Sequence, residues 1–372
     1  MFSLVPSYTK ILKSPKKILI VIQRSNGDVF LSITLINLIY EYFHSPQIDL
    51  LVNDDTYSIA KLLPNINFIH QFSYQKKRNY RWKQEKELLS SLFKKYDLSI
   101  NLTASDRSVI YALLAGKKTI SAIEKDNKKS WWKKILLTHY YYFDINKHIL
   151  LNNLEPLNLL QIEHKNIQKS PEVSDKIVAN IKKKLDRRGI NEFVIFHPSA
   201  QYKYKIYPQY SRDELLSFLS KLGVSIVVTG TNNKIDTEIK LNLPSLPNIF
   251  DLIGETSLEE YFALSSLSQA YIGMDTLNMH IASAQNKRIF AIFGPTKLSM
   301  WAPWSNQLQV SATDDMAIQT YGNVTIFQAD MPCVACGNAG CDDNHGKSDC
   351  LYNISPRLVF KEIEDWYKKI SS

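Results

Sequence analysis

Short runs of branched apolar residues alternate along this chain with longer segments whose apolar positions recur every three or four residues. The first run, ILIVI at 18–22, is apolar at every position, as suits a strand covered on both faces of a parallel sheet. After the turn Arg24-Ser25-Asn26-Gly27-Asp28, helical spacing predicts a helix over 29–43, stopped near Pro46. Further strands are predicted at 48–52, 66–72, 98–102 and 118–123, with a charged helix over 81–95. The pattern then restarts. Strands at 193–197, 224–229, 249–253, 270–273 and 288–293 are separated by helices over 211–222, near 235, over 258–267 and over 278–285. Such alternation implies parallel sheets joined by right-handed crossovers.

Between the halves, residues 164–188 (HKNIQKSPEVSDKIVANIKKKLDRR) turn polar and lysine-rich, the composition of a domain junction. A length of 372 residues suits two domains of about 150 to 200 each. We therefore expect an α/β protein of two doubly wound, Rossmann-like domains facing across a cleft. The expected bounds are 1–165 and 191–355, a linker region at 166–190, and an amphipathic terminal helix within 356–372 that packs back on a domain.

Ligands of such sheets bind beyond the carboxyl ends of the strands, which singles out four loops. In the first, Asp28 follows a glycine at the start of a helix. It is either a helix cap, worth about 1 kcal/mol, or a carboxylate placed to take a proton. The second, His197-Pro198-Ser199-Ala200-Gln201-Tyr202-Lys203-Tyr204-Lys205, offers a lysine to an anion or to solvent. The third, Thr229-Gly230-Thr231, either touches a nucleotide or merely turns the chain. The fourth, Gly273-Met274-Asp275-Thr276-Leu277-Asn278-Met279-His280, leads from a strand into a helix of small residues. The N–H groups and dipole of such a terminus attract anions.

Composition narrows the classes. Hydrophobic residues at 45% and charged residues at 22% exclude wholesale disorder. No apolar run approaches the roughly 20 residues that cross a bilayer, and MFSLVPSYTKILKSPKK lacks the pattern of a cleaved signal. A soluble, cytoplasmic protein is expected. The net charge of +9 suits nucleic acid, an anionic membrane surface or phosphorylated substrates. Lys10, Lys13, Lys16 and Lys17 precede the first strand, and Lys125, Lys128, Lys129, Lys133 and Lys134 surround Trp131-Trp132. Lysines around paired tryptophans fit a membrane interface, or a solvated basic face with the tryptophans packed inward. Nucleic-acid binding has only charge behind it, because no motif of that class is present, so nucleic acid is not expected as a partner. Neither first strand is followed by G-x-G-x-x-G, which argues against a dinucleotide oxidoreductase.

The four loops together resemble the heptosyltransferases of glycosyltransferase family 9, which build the inner core of lipopolysaccharide. RSNGDV, HPSAQYKYKIYP and GMDTLNMHIASAQNKRIFAIFGPT carry the resemblance most specifically, and HILLNNLEPLNLL looks like the family's segment at the end of its first domain. The resemblance implies GT-B architecture. It also implies an inverting transfer of heptose from ADP-heptose to a lipid-linked saccharide, with transient contact with the inner membrane surface. Asp28 matches the family's proposed catalytic base, Lys205 the lysine on the donor phosphate, and Asp275, Thr276 and His280 the motif holding the ADP portion. Leu277 stands where the family usually has glycine, and Asn278 replaces a frequent proline, so both bear on donor choice. Ser199, Gln201, Thr229 and Gly230 are further donor-contact candidates. Acceptor recognition falls to the first domain, where Arg107, Lys117 and Lys118 are candidates for its phosphates. Another nucleotide sugar, or an O-antigen or capsule acceptor, remains the alternative within the family.

Asp54-Asp55, Asp314-Asp315 and Asp342-Asp343 are adjacent rather than spaced as Asp-x-Asp, so no metal and no cofactor is expected in catalysis. The four cysteines fall together as Cys333-x2-Cys336-x4-Cys341-x8-Cys350, with His345 nearby. Only the first pair has the spacing of a zinc dyad, which leaves open a structural metal, free thiols or a local disulfide. Similar tails occur in the family.

Overall fold

A computed structural model describes residues 14–341 and 346–371. Lys10, Lys13, Asp342, Asp343 and His345 lie outside the described residues. The chain divides into two compact units, Met1–Asn166 and Ile167–Ser372.

Among the described residues, the first unit is built on a six-stranded parallel sheet. Its strands are β1 (Lys17–Ile22), β2 (Gln47–Asn53), β3 (Ile66–Phe72), β4 (Tyr96–Asn101), β5 (Gly116–Ile123) and β6 (His139–Tyr142), in the order β3-β2-β1-β4-β5-β6. The run Ile18 to Ile22 is wholly buried, because the central strand is covered on both faces. The expected helix over 29–43 is two helices, Asn26–Phe30 and Ile33–Tyr42. Between them the Ser32 hydroxyl donates back to the Val29 carbonyl at 2.7 Å, a local bond that competes with the helical ladder. The charged helix closes at Leu92 rather than 95, and Lys94 then turns through the left-handed region at φ 52°.

The second unit repeats the plan. Its strands are β7 (Phe193–His197), β8 (Ser225–Val228), β9 (Ile249–Asp251), β10 (Ala270–Met274), β11 (Arg288–Ile292), β12 (Ile318–Tyr321) and β13 (Val324–Phe327). They lie in the order β12-β13-β11-β10-β7-β8-β9, parallel except for the β12–β13 hairpin at the edge. The stretch read as a linker is part of this unit. Helix Asp175–Asp186 packs against helix Leu258–Leu267, with Ile181 and Leu185 buried. Its lysines form a solvated face, which is why composition alone resembles a connection. The terminal helix Pro356–Ser371 packs on helix Gln209–Leu219, where Phe218 and Phe360 stack at 5.3 Å. No helix among the described residues is long and apolar enough to cross a membrane.

Candidate functional site

In each sheet the winding direction reverses at the centre, between β1 and β4 in the first unit and between β7 and β10 in the second. Exit loops on either side of such a reversal run apart and leave a ligand crevice at the carboxyl edge. Most of the candidate residues gather at these two edges.

In the first unit, the main-chain N–H of Gln23 donates to Thr103 Oγ1 at 3.0 Å, which ties the exit of β1 to that of β4. Asp28 follows in the first turn of helix Asn26–Phe30 and is only 3% exposed. Its Oδ2 accepts from the Ser25 hydroxyl at 2.6 Å and from the Ser25 main-chain N–H at 3.2 Å. Its Oδ1 meets Arg24 Nε at 2.6 Å, and the Arg24 guanidinium rests over the Phe143 ring at 4.5 Å. Asn153, from helix Ile149–Leu159 in the segment HILLNNLEPLNLL, reaches the Asp28 carbonyl at 3.5 Å. Capping and chemistry are thus not exclusive: Ser25 is the cap residue, and Asp28 bonds back to it while remaining a fixed, charge-paired carboxylate.

The acceptor candidates separate. Arg107 opens helix Asp106–Ala115 beyond the end of β4, on the same edge as Asp28. Its guanidinium lies 3.9 Å over Phe72 and 4.9 Å over Tyr74, and it donates to the Tyr74 hydroxyl at 2.8 Å. Lys117 and Lys118 begin β5, and Lys118 is in register with Leu98 near the start of β4. Because these strands are parallel, both lysines sit at the amino edge, opposite Asp28. Lys117 pairs with Asp97 at 2.9 Å, and Lys118 is exposed.

In the second unit, Lys205 Nζ meets Asp275 Oδ2 at 2.7 Å, joining the β7 exit loop to that of β10. Burial alone would lower the Lys205 ammonium. Asp275 and the nearby Tyr204 and Tyr202 reverse the sign and hold its pKa above the ordinary lysine value. Tyr202 and Tyr204 stack at 5.4 Å beside it. The Asn278 amide lies 3.1 Å from His197 Nδ1, and Thr229 Oγ1 contacts the same ring nitrogen at 3.0 Å. Burial pushes His197 down to about 4 against the opposing pull of Asp236 and a main-chain bond to Thr229, so the ring is neutral at pH 7. Gly273 permits this closeness, because a Cβ there would stand 2.4 Å from the His197 carbonyl oxygen on the neighbouring strand.

The Ser199 hydroxyl donates to buried Asp236, whose other oxygen accepts from the Thr231 hydroxyl at 2.8 Å and the Asn233 amide at 3.1 Å. Gly230 passes 3.2 Å from Asp236, measured from where its Cβ would be. Thr276 caps helix Leu277–Ala284, its hydroxyl 3.4 Å from the buried Tyr271 hydroxyl. Leu277 is partly exposed and Gln201 exposed on these loops. His280 is buried, its carbonyl accepting from Gln168 at 2.8 Å and its ring 6.1 Å from Trp301.

Arg24, His197, Asp236 and Tyr271 complete the two edges, and sequence reasoning assigned none of them a role. His197 and Asn278 lie 81 residues apart and Asp236 and Ser199 lie 37 apart, separations that no spacing rule reports, whereas Arg24 and Asp28 form an i,i+4 pair that the spacing does offer. Among the described residues no group of three or more His, Cys, Asp or Glu side chains is arranged to hold a metal ion. All four cysteines are free, Cys350 buried and the other three exposed. Burial, with Cys341 and Cys336 adding to it, pushes the Cys350 thiol up to about 11.

Residues 83–328 match the model of glycosyltransferase family 9 (heptosyltransferase). Lipopolysaccharide heptosyltransferase 3 of Escherichia coli is 25% identical over 300 residues, covering 77% of this chain and 85% of that protein. Among solved structures, the glycosyl transferase family 9 protein of Veillonella parvula superposes with a TM-score of 0.73 at 15% identity, over 97% of this chain and 99% of that one. The E. coli ADP-heptose LPS heptosyltransferase II superposes at 0.70 with 18% identity, over 96% and 100%.

Proposed function

The chain belongs to glycosyltransferase family 9, the heptosyltransferase family, and from that premise we propose that it moves a heptose from ADP-heptose onto the inner core of lipopolysaccharide, with inversion and without a metal ion. The observation that carries this reading is the buried Asp28 carboxylate at the carboxyl edge of the first sheet, held on one oxygen by Arg24 and on the other by Ser25. A fixed carboxylate there takes the proton from an acceptor hydroxyl as that oxygen attacks the anomeric carbon. The second edge supplies what the leaving nucleotide needs. Lys205 is charged, and it divides its attraction between Asp275 and a diphosphate, while the first N–H groups of helix Leu277–Ala284 face developing negative charge. Ser199, Gln201, Thr229, Gly230, Thr276, Leu277, Asn278 and His280 shape the donor pocket in this reading. Several act through partners: Thr229 and Asn278 position His197, and Ser199 braces Asp236. Arg107 remains an acceptor candidate, whereas Lys117 and Lys118 stand on the wrong edge for it.

The test is transfer from ADP-heptose to a truncated inner-core acceptor in EDTA, for the wild type and Asp28→Asn. Wild-type transfer that survives EDTA, with the variant binding ADP but slowed by about 10²- to 10⁴-fold, is the expected result. Asp28→Asn retaining full rate would remove the proposed base. Turnover of another nucleotide sugar, with ADP-heptose ignored, would replace the donor and leave the family intact; Leu277 and Asn278 are the residues that such a result would implicate.

A further inference from the structure

We propose that helix Trp131–Leu136 and the turn before it form a docking surface that seats the first unit on an anionic lipid bilayer. This six-residue helix follows β5 and carries three large apolar side chains into solvent: Trp131 at 65%, Ile135 at 70% and Leu136 at 60% exposure. Single exposed apolar residues are ordinary on a protein surface, but three on one short helix are not. The patch extends onto the edge strand β6, where Lys134 Nζ lies 5.4 Å over the exposed Tyr142 ring.

Charge identifies the occupant. Lys125, Lys128, Lys129 and Lys134 are exposed around these side chains, and Asp126 is the one exposed acid in the same stretch. Apolar tips ringed by ammonium groups complement an interface in which headgroups are negative and acyl chains begin a few ångströms below. A protein partner would need a shaped apolar groove, and a solvated face would not carry the apolar tips.

The helix is also braced to bear a load. Lys133 is fully buried beneath it, within 2.8 Å of both Asp106 and Glu124, and donates to the Ala104 carbonyl at 2.7 Å. Trp132 turns inward against a small core of Val109, Ile123 and Leu137. One tryptophan of the pair therefore anchors the helix and the other projects. Because β1 and β5 run parallel, this surface stands on the same edge of the sheet as Asp28. The docking follows from the surface chemistry alone; only its use, to bring a lipid-linked acceptor to Asp28, rests on the proposed function.

The experiment is co-sedimentation of the full chain with vesicles of phosphatidylcholine, with and without about one quarter phosphatidylglycerol, in parallel with transfer to a soluble, delipidated acceptor. Wild type should sediment with the anionic vesicles only, and less at high salt. Ile135→Ser with Leu136→Ser, and separately Lys129→Glu with Lys134→Glu, should each lower partitioning by about tenfold or more, with unchanged melting temperature and unchanged transfer to the soluble acceptor. Wild type that ignores anionic vesicles, or variants that bind them as well as wild type does, would overturn the docking surface. So would variants that bind vesicles normally but lose transfer to the soluble acceptor, because the patch would then serve the saccharide. Vesicle binding that depends on these residues, together with no use of any ADP-sugar, upholds the docking and overturns the proposed donor instead.

Discussion

The guanidinium of Arg24 and the carboxylate of Asp28 meet at 2.6 Å across one turn of chain, with Asp28 buried and Arg24 capped by the Phe143 ring. The carboxylate that is proposed to accept a proton is thus fixed and aimed by a neighbour of opposite charge. Arg24→Met strands that carboxylate in a buried position. The variant should lose on the order of 2 kcal/mol of stability and transfer at least about tenfold more slowly. A thermal melt and a rate at saturating donor check both, and an unmoved melt would show that the ion pair is idle.

Lys205→Met removes the cation between the β7 and β10 loops. A loss of about 100- to 1000-fold in kcat/KM for the nucleotide donor is expected, as for removal of one preorganised stabilising group. The single variant also leaves Asp275 buried without its partner. Adding Asp275→Asn should therefore restore part of the stability and none of the rate. A double-mutant comparison of melts and rates separates the two contributions.

His197 sets a pH dependence of stability. Its folded pKa is about 4 against the ordinary 6.5, chiefly because burial disfavours the imidazolium. Below 6.5 the unfolded chain takes up a proton that the folded ring refuses until about 4, so stability falls as pH drops through that window and is unaffected above it. The full effect is on the order of 3 kcal/mol. Denaturant midpoints for wild type and His197→Gln across pH 4 to 6.5 should converge toward the acid end. Parallel curves would mean that His197 does not drive the change.

Gly273→Ala places a methyl group 2.4 Å from the His197 carbonyl oxygen, a backbone atom that moves only if β7 and β10 part. About 2 to 3 kcal/mol of destabilisation is expected. Donor affinity should weaken as well, because the exits of these two strands carry Lys205 and Asp275. A variant as stable as wild type would show that the sheet yields there without strain.

Strands buried on both faces were legible because their apolar runs are unbroken, as in Ile18 to Ile22 and Ile289 to Phe293. The helix after β1 was legible in place but not in continuity, since the break at Ser32 depends on where one hydroxyl bonds. The edge strand HYYY was missed: among its four residues only Tyr141 is buried, too short a signal for a period of two. The lysine-rich face of helix Asp175–Asp186 imitated a linker for the reason that makes it a good surface helix. Of the site, the loops were legible from their position after strands, and Lys205 and Asp275 do meet. The bracing was not legible. Asp236 reaches Ser199 only by tertiary placement, although its bonds to Thr231 and Asn233 are local, and the opposite-edge position of Lys117 and Lys118 already follows from a parallel strand over 118–123.

The terminal helix Pro356–Ser371 has a consequence for synthesis. Val359 and Ile363 are fully buried in the core of the second unit, with Phe360, Trp366 and Tyr367 packed against it. The first unit closes at Asn166, so its sheet can assemble before the second unit is complete. The second unit has no finished core until its last turns clear the ribosome. A prematurely stopped chain therefore releases a competent first sheet attached to an open apolar one, a species for proteolysis rather than for catalysis.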